Sequence, residues 1–198
     1  MRIILASASP RRRELLGTVC REFEIIVADT DESVESSCSA KDSVGILAVR
    51  KGAAVKEKLF GTAPSDALII SSDTLVELDG VPLGKPADEN SAFDMLRGLS
   101  GKRHNVHTGV AVHYGNRALF VIATTGVYFR EISDDEIRDY ISTGEPMDKA
   151  GSYGIQGIGG KFVEKIDGDF DTVVGLSVKL TLKLAYEACG EAVLGEIC

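Results

Sequence analysis

Ile3-Ile4-Leu5-Ala6-Ser7-Ala8-Ser9-Pro10-Arg11-Arg12-Arg13-Glu14-Leu15-Leu16 opens the chain with an apolar triplet, a serine-rich turn and a basic run. Ile3–Leu5 has the length and character of a short buried strand. Ser9 is a side-chain acceptor suited to an N-cap, and Pro10 suits the first helical position, where no backbone N–H is missed. Strand, polar turn and helix start in that order make an α/β unit. The rest follows the same alternation. A second strand is expected at Phe23–Val27, then a long helix at Asp42–Phe60 whose stripe is Val44, Leu47, Ala48, Val55 and Leu59. Ala67–Ile70 reads as a buried strand, interrupted by Ser71-Ser72-Asp73-Thr74 and resumed at Leu75–Leu78, with Asp79-Gly80 as a hairpin turn. Asp88–Leu99 is a helix capped by Asp88. Val106–Tyr114 and Ala118–Phe129 are strands joined at Gly115-Asn116. Ser133-Asp134-Asp135-Glu136 is a capping box for a helix through Ser142, stopped at Gly144. Glu145–Lys161 reads as an ordered functional loop, Phe162–Ile166 as a strand and Leu176–Ala188 as a closing helix. Helices alternating with strands and hairpins predict an α/β fold with a mixed sheet.

The size of the chain, 198 residues with 44% hydrophobic, allows one domain over residues 1–198, as a single core or as two lobes. The net charge of −8 argues against sequence-independent nucleic-acid binding, which depends on Lys and Arg neutralising phosphates. A small phosphorylated ligand stays open if the basic residues gather locally and a divalent cation adds positive charge. Cys20, Cys38, Cys189 and Cys198 form no CxxC pair, so reduced thiols of a cytoplasmic protein are expected, not a zinc knuckle. The N-terminal apolar run is too short for a signal peptide, and no stretch reaches membrane-spanning length.

Three segments carry chemistry. In the first, turn amides at a helix start attract anions, the Ser7 and Ser9 hydroxyls add donors, and Arg12 offers a bidentate phosphate clamp. A solvated basic face is the alternative. Against it, three arginines in a first turn oppose the helix dipole unless an anion compensates. In the second, Asp73 lies among apolar residues, where a carboxylate is costly unless it is paired or metal-bound. A turn-forming Asp is the alternative, but Gly84-Lys85-Pro86 follows, and the Asp79-Gly80 hairpin turns Lys85 back towards Asp73. The acidic cluster Asp29, Asp31 and Glu32 is a solvated loop, or one carboxylate of it joins Asp73 on a hard cation such as Mg²⁺ or Mn²⁺. The third segment, Glu145–Lys161, is glycine-rich but is no Walker A loop, since Ile155 and Phe162 stand where Gly and Ser or Thr are required. His104 and His107, three apart on a strand, face opposite sides and should not share a metal.

Taken in order, Ala6–Arg12, Ser72-Asp73-Thr74-Leu75-Val76, Gly84-Lys85-Pro86, Leu99-Ser100-Gly101, His104, Thr108-Gly109-Val110, Gly144-Glu145-Pro146 through Gly157, and Val174-Gly175-Leu176 resemble the Maf family along nearly the whole chain. The resemblance implies an α/β fold of the Maf/ITPase kind, a mixed twisted sheet with flanking helices and two lobes around a deep cleft. It implies a divalent metal cofactor, Mg or Mn, and hydrolysis of nucleoside triphosphates between the α and β phosphates. Carried over by motif, Asp73 is the general base and also a metal ligand with Glu32. Ser7, Ser9, Arg12, Lys51 and Lys85 are phosphate-side groups. Arg11, Thr74 and Gln156 match the branch associated with dTTP and UTP, where the sister branch for 7-methyl-GTP has an aromatic, Gln and Glu. Three departures from the family pattern occur: Ser71-Ser72 replace Gly-Ala, Ser177 replaces Pro, and Arg50 replaces a carboxylate. The expected partner is the nucleotide, with no nucleic acid and no membrane, and a homodimer is left open. Two rivals remain: a nucleotide-binding regulator of septation without catalysis, and a nucleic-acid-binding protein.

Overall fold

In the computed structural model, residues 1–190 are described apart from 36 and 62; Cys198 therefore lies outside the described residues. The elements are β1 (Arg2–Leu5), α1 (Pro10–Gly17), β2 (Glu24–Ile25), α2 (Ala40–Phe60), β3 (Ser65–Leu78), β4 (Val81–Leu83), α3 (Glu89–Leu99), β5 (Arg103–Gly115), β6 (Arg117–Phe129), α4 (Asp134–Ser142), β7 (Val163–Asp167), α5 (Phe170–Val174) and α6 (Val178–Cys189). Short 3₁₀ turns occupy Glu145–Asp148, Ala150–Ser152 and Ile158–Phe162.

The strands join in the order β2-β1-β3-β5-β6-β7, with β4 on β3. β1 runs parallel to β2 and β3, whereas β3–β4 and β6–β7 are antiparallel. The mixed sheet is thus as expected. Its parallel part is fed by α1 and α2, since parallel neighbours need a crossover. The antiparallel pair β3–β4 needs only Asp79 and Gly80, whose φ values of 51° and 82° are those of a tight primed turn.

Two compact units divide the chain. The first comprises Met1–Asp73, Thr108–Ala123 and the residues from Gly175 onward; the second comprises Thr74–His107 and Thr124–Val174. The chain crosses from first to second inside β3, between Asp73 and Thr74. A core of the first unit gathers Ile4, Ala6, Val55, Ala67 and Ile69. That of the second joins Leu96, Leu99, Val127, Phe129, Ile137, Tyr140 and Phe162, among others.

Local signals set the helix starts. Ser9 accepts the Arg12 N–H, and Pro10 begins α1. Asp88 and Ser91 form a capping box on α3, and Ser133 and Glu136 form one on α4. Gly144, at φ 74°, ends the α4 region as expected.

Three expectations are corrected, and one helix is added. Ser71–Thr74 does not interrupt the strand, because β3 runs unbroken through it. The Ser71 hydroxyl donates to Ala48 O (2.7 Å) and the Ser72 hydroxyl to Gly175 O (2.8 Å), so these polar side chains are buried at little cost. The second strand shrinks to two residues. The loop expected over Glu145–Lys161 is built of 3₁₀ turns. The closing helix expected over Leu176–Ala188 is α6, two residues shorter at its start; a short helix not expected from the sequence, α5, precedes it and stops before Gly175, whose φ of 128° excludes a helical continuation.

Candidate active site

α2 lies against the sheet of the first unit at glycines. A Cβ on Gly109 of β5 would stand 2.2 Å from the Val44 carbonyl oxygen, and one on Gly52 would meet the side chains of His113 and Ser71. That close approach delivers Lys51 of α2 to Asp73 at the end of the first unit's stretch of β3. The Lys51 ammonium donates to Asp73 Oδ1 at 2.6 Å and contacts Glu32 Oε1 at 2.8 Å. Asp73 and Lys51 are largely enclosed, with side chains 13% and 19% exposed, whereas Glu32 is 66% exposed. Two carboxylates therefore converge on one cationic nitrogen.

The loop that carries Glu32 is held by Arg50, which donates to the carbonyl oxygens of Ser33 and Asp31. The replacement of a family carboxylate at this position thus has a structural role in this chain: the guanidinium fastens the acidic loop beside Lys51. Of the acidic trio, Glu32 reaches Lys51. Asp31 is turned to its own loop, accepting the Ser33 N–H at 2.9 Å, and hydrogen bonding from the Ser33 side chain, then from this N–H, holds its carboxyl below the usual range.

The serine-rich turn folds back on the same unit. Ser7 Oγ accepts the Ser9 N–H (3.2 Å) and an Arg12 guanidinium N–H (3.3 Å). Arg12 Nε donates to Gly175 O at 2.9 Å, the carbonyl that also accepts from Ser72. The first, second and last motifs of the resemblance thus meet at one carbonyl. Burial lowers the Arg12 pKa from its ordinary value; Asp73 and Glu32 oppose that shift, and neighbouring Arg11 adds to it. With both serine acceptors engaged from inside, the Ser7 hydroxyl proton remains available as a donor. Ser7, Ser9, Arg12, Lys51, Glu32 and Asp73 all belong to the first unit, as does Arg11.

Thr74, Lys85 and Gln156 belong to the second unit. The β3–β4 register pairs Val76 with Leu83 and Leu78 with Val81, so the strand after Leu83 returns along β3, carrying an exposed Lys85. The Gly84 carbonyl accepts the Gly151 N–H at 3.0 Å, tying Gly84-Lys85-Pro86 to the glycine-rich segment. A Cβ on Gly151 would collide with Val76, and its φ is 68°. Gln156 is exposed within that segment.

Sequence reasoning passed over Glu145 and Tyr140. The Tyr140 hydroxyl donates to Glu145 Oε1 at 2.8 Å, and the carboxylate accepts the N–H groups of Ile158 (3.0 Å) and Gly159 (3.1 Å). A signal existed in the Gly144-Glu145-Pro146 motif, but nothing local says what its carboxylate binds. The two histidines bond to different elements. His104 Nε2 bonds the Tyr153 hydroxyl (2.9 Å), and His107 Nδ1 bonds Thr124 Oγ1 (2.8 Å). Among the described residues, no group of three or more His, Cys, Asp or Glu is arranged to hold a metal ion. The pair Glu32 and Asp73 still fits a hard cation, because oxygen donors already surround a positive charge there. Among the described residues, no helix is long and apolar enough to cross a membrane.

Comparison with known proteins accords with these motifs. A dTTP/UTP pyrophosphatase of Clostridium botulinum (strain Eklund 17B / Type B) is 48% identical over 191 residues, covering 95% of this chain and 100% of its own. One of Caldicellulosiruptor bescii is 50% identical over 192 residues, covering 94% and 96%. Among solved structures, the Staphylococcus aureus Ham1 protein is similar over 65% of this chain and 72% of its own, at 14% identity and TM-score 0.42, too distant to add weight. The family of Maf-like proteins matches residues 2–188. On its motifs, its near-full-length relatives and that match, the chain belongs to the Maf family.

Proposed function

We propose that this protein is a nucleoside triphosphate pyrophosphatase that hydrolyses dTTP and UTP to the monophosphate and pyrophosphate. The observation that carries the reading is Asp73, largely enclosed, ion-paired with Lys51 and electrostatically coupled to Arg12 of the first motif. A module that only bound triphosphate would gain nothing from a carboxylate there, since it repels the ligand.

In this reading the α1 N-terminus, Ser7, Ser9, Arg12, Lys51 and Lys85 neutralise the triphosphate. Glu32 and Asp73 would hold a divalent cation, Mg or Mn, which when bound would acidify water and offset phosphate charge. Asp73 orients the attacking water towards the α-phosphorus and accepts its proton. Pyrophosphate then leaves with its charge held by the basic groups. Arg11, Thr74 and Gln156 sort the base. A uracil or thymine edge has two carbonyl acceptors and one N–H donor, which Arg and a Gln amide can match. A methylated guanine is cationic, and Arg would oppose it. Residues 1–198 act as one Maf-like domain in the cytoplasm.

The deciding experiment incubates the protein with dTTP or UTP and Mg²⁺ or Mn²⁺ and follows the products by ³¹P NMR. Monophosphate and pyrophosphate in equal amounts are expected. Orthophosphate with a diphosphate product would overturn the reaction class, and no turnover would return the protein to the non-catalytic reading.

A further inference from the structure

Gln156 stands in the middle of a short backbone excursion, and both ends of that excursion are tied to one pair of side chains. On its N-terminal side, the Gly154 N–H donates to the Tyr140 hydroxyl at 3.1 Å. On its C-terminal side, the N–H groups of Ile158 and Gly159 donate to the Glu145 carboxylate at 3.0 and 3.1 Å. Tyr140 and Glu145 are bonded to each other at 2.8 Å, which closes the circuit. The excursion is braced internally by Gly157 N–H to Gly154 O at 3.2 Å. Gln156 is thus two residues from a tie on either side.

The local sequence is shaped around this pair. A Cβ on Gly157 would lie 2.5 Å from Glu145 Oε1, and one on Gly159 would lie 2.6 Å from the Tyr140 hydroxyl. Glycine at both positions lets the backbone drape over the carboxylate and phenol. The pair is rigid in turn. Tyr140 is fully buried in α4, its ring edge-on to Phe162 with centroids 5.1 Å apart. Lys149 donates to the Glu145 carbonyl at 2.6 Å. Burial would raise the Glu145 pKa, but the Ile158 and Gly159 N–H groups, the Tyr140 hydroxyl and Lys149 together outweigh it, so the carboxyl stays below its usual range and the acceptor stays ionised.

We infer that Tyr140 and Glu145 are positioning residues for nucleobase selection: they hold the backbone on both sides of Gln156, so that its side chain is presented to the base from one fixed place. The inference rests on the proposed role of Gln156 in sorting dTTP and UTP from other nucleotides. An amide discriminates best when it is presented to the base from one place, and a fixed backbone sets the point from which the side chain reaches and lowers the entropy cost of placing it.

The test compares Tyr140→Phe and Glu145→Gln with the wild type, using steady-state kinetics on dTTP and CTP together with thermal melting. Tyr140→Phe keeps the ring in the core and removes only the hydroxyl. Glu145→Gln keeps the shape and sets an amide donor against backbone N–H groups. For both, KM for dTTP should rise about five- to tenfold, as expected for losing one positioning hydrogen bond, with kcat nearly unchanged and the preference for dTTP over CTP reduced by a similar factor. A structural role alone would lower the melting temperature and leave that preference intact. A folded variant with wild-type KM and wild-type preference overturns the inference. If Glu145→Gln fails to fold, Tyr140→Phe decides alone. Wild-type protein that makes no pyrophosphate from dTTP removes the parent reading, and this inference with it. Active wild type with unaltered variants removes only the inference.

Discussion

Asp73 and Lys51 show what a single contact contributes. At 2.6 Å and largely enclosed, the ion pair holds the Asp73 carboxylate in place within the first unit. Asp73→Asn keeps the shape and loses the charge, so we expect a drop in kcat of at least ~10²-fold with an unchanged melting profile. A near-normal rate would remove Asp73 from its role. Gln156→Glu replaces a neutral amide by an anion in an exposed loop. We expect kcat/KM for dTTP and UTP to fall and the disadvantage of cationic 7-methyl-GTP to shrink, measured as a ratio across the four nucleotides dTTP, UTP, CTP and 7-methyl-GTP. Should 7-methyl-GTP be the best substrate of the wild type, the assignment of Arg11, Thr74 and Gln156 fails. At this scale the sequence was legible where a residue acts on near neighbours, as Ser9 does on Arg12. It was silent on Glu145, whose bonds to Ile158 and Gly159 span 13 and 14 residues.

Elements are placed by close packing as much as by their own pattern. The stripe on α2 announces a helix, but its contact with β5 depends on Gly109, where a Cβ has no room against the Val44 backbone. Overpacking of this kind costs ~1–3 kcal/mol or more. We therefore expect Gly109→Ala to lower the urea midpoint markedly and, because α2 carries Lys51, to reduce activity in whatever fraction stays folded. Unchanged stability would show that α2 can shift freely. β5 also sets an acid limit. His104 is buried against Phe129 and Tyr153, and desolvation depresses its pKa to about 4. Above pH 6.5 it is neutral in the folded and the unfolded chain. Between 6.5 and about 4 the unfolded chain takes up a proton that the folded site refuses, so stability falls across that window, by roughly 3 kcal/mol in total. His113 is shifted in the same direction by burial and adds to the loss. Urea titrations at several pH values should show the slope, and His104→Gln should flatten it; an equal slope in the variant would assign the effect elsewhere. The unbroken β3 belongs to this scale too. Its serines read as a break because their partners, Ala48 and Gly175, lie 23 and 103 residues away.

For the whole molecule, the charge of −8 sets the conditions of function. Carboxylates beside a polyanion need a cation, so activity should vanish in excess chelator and return with Mg²⁺ or Mn²⁺. Full activity in chelator would count against Glu32 and Asp73 as metal ligands. The chain by itself determined the helix caps, the Asp79-Gly80 hairpin, the mixed α/β class and, through motifs met in order, the family. These depend on hydrogen bonds and steric rules acting over a few residues, and such rules are written in adjacent letters. The tertiary structure alone decided that Glu32, and not Asp29 or Asp31, meets Lys51, that Arg50 secures the loop bearing it, and that Arg12 and Ser72 share the Gly175 carbonyl. Carboxylates one to three residues apart are chemically alike in a sequence. They become different only when burial of a distant core and the close approach of α2 fix which of them lies within reach of the ammonium.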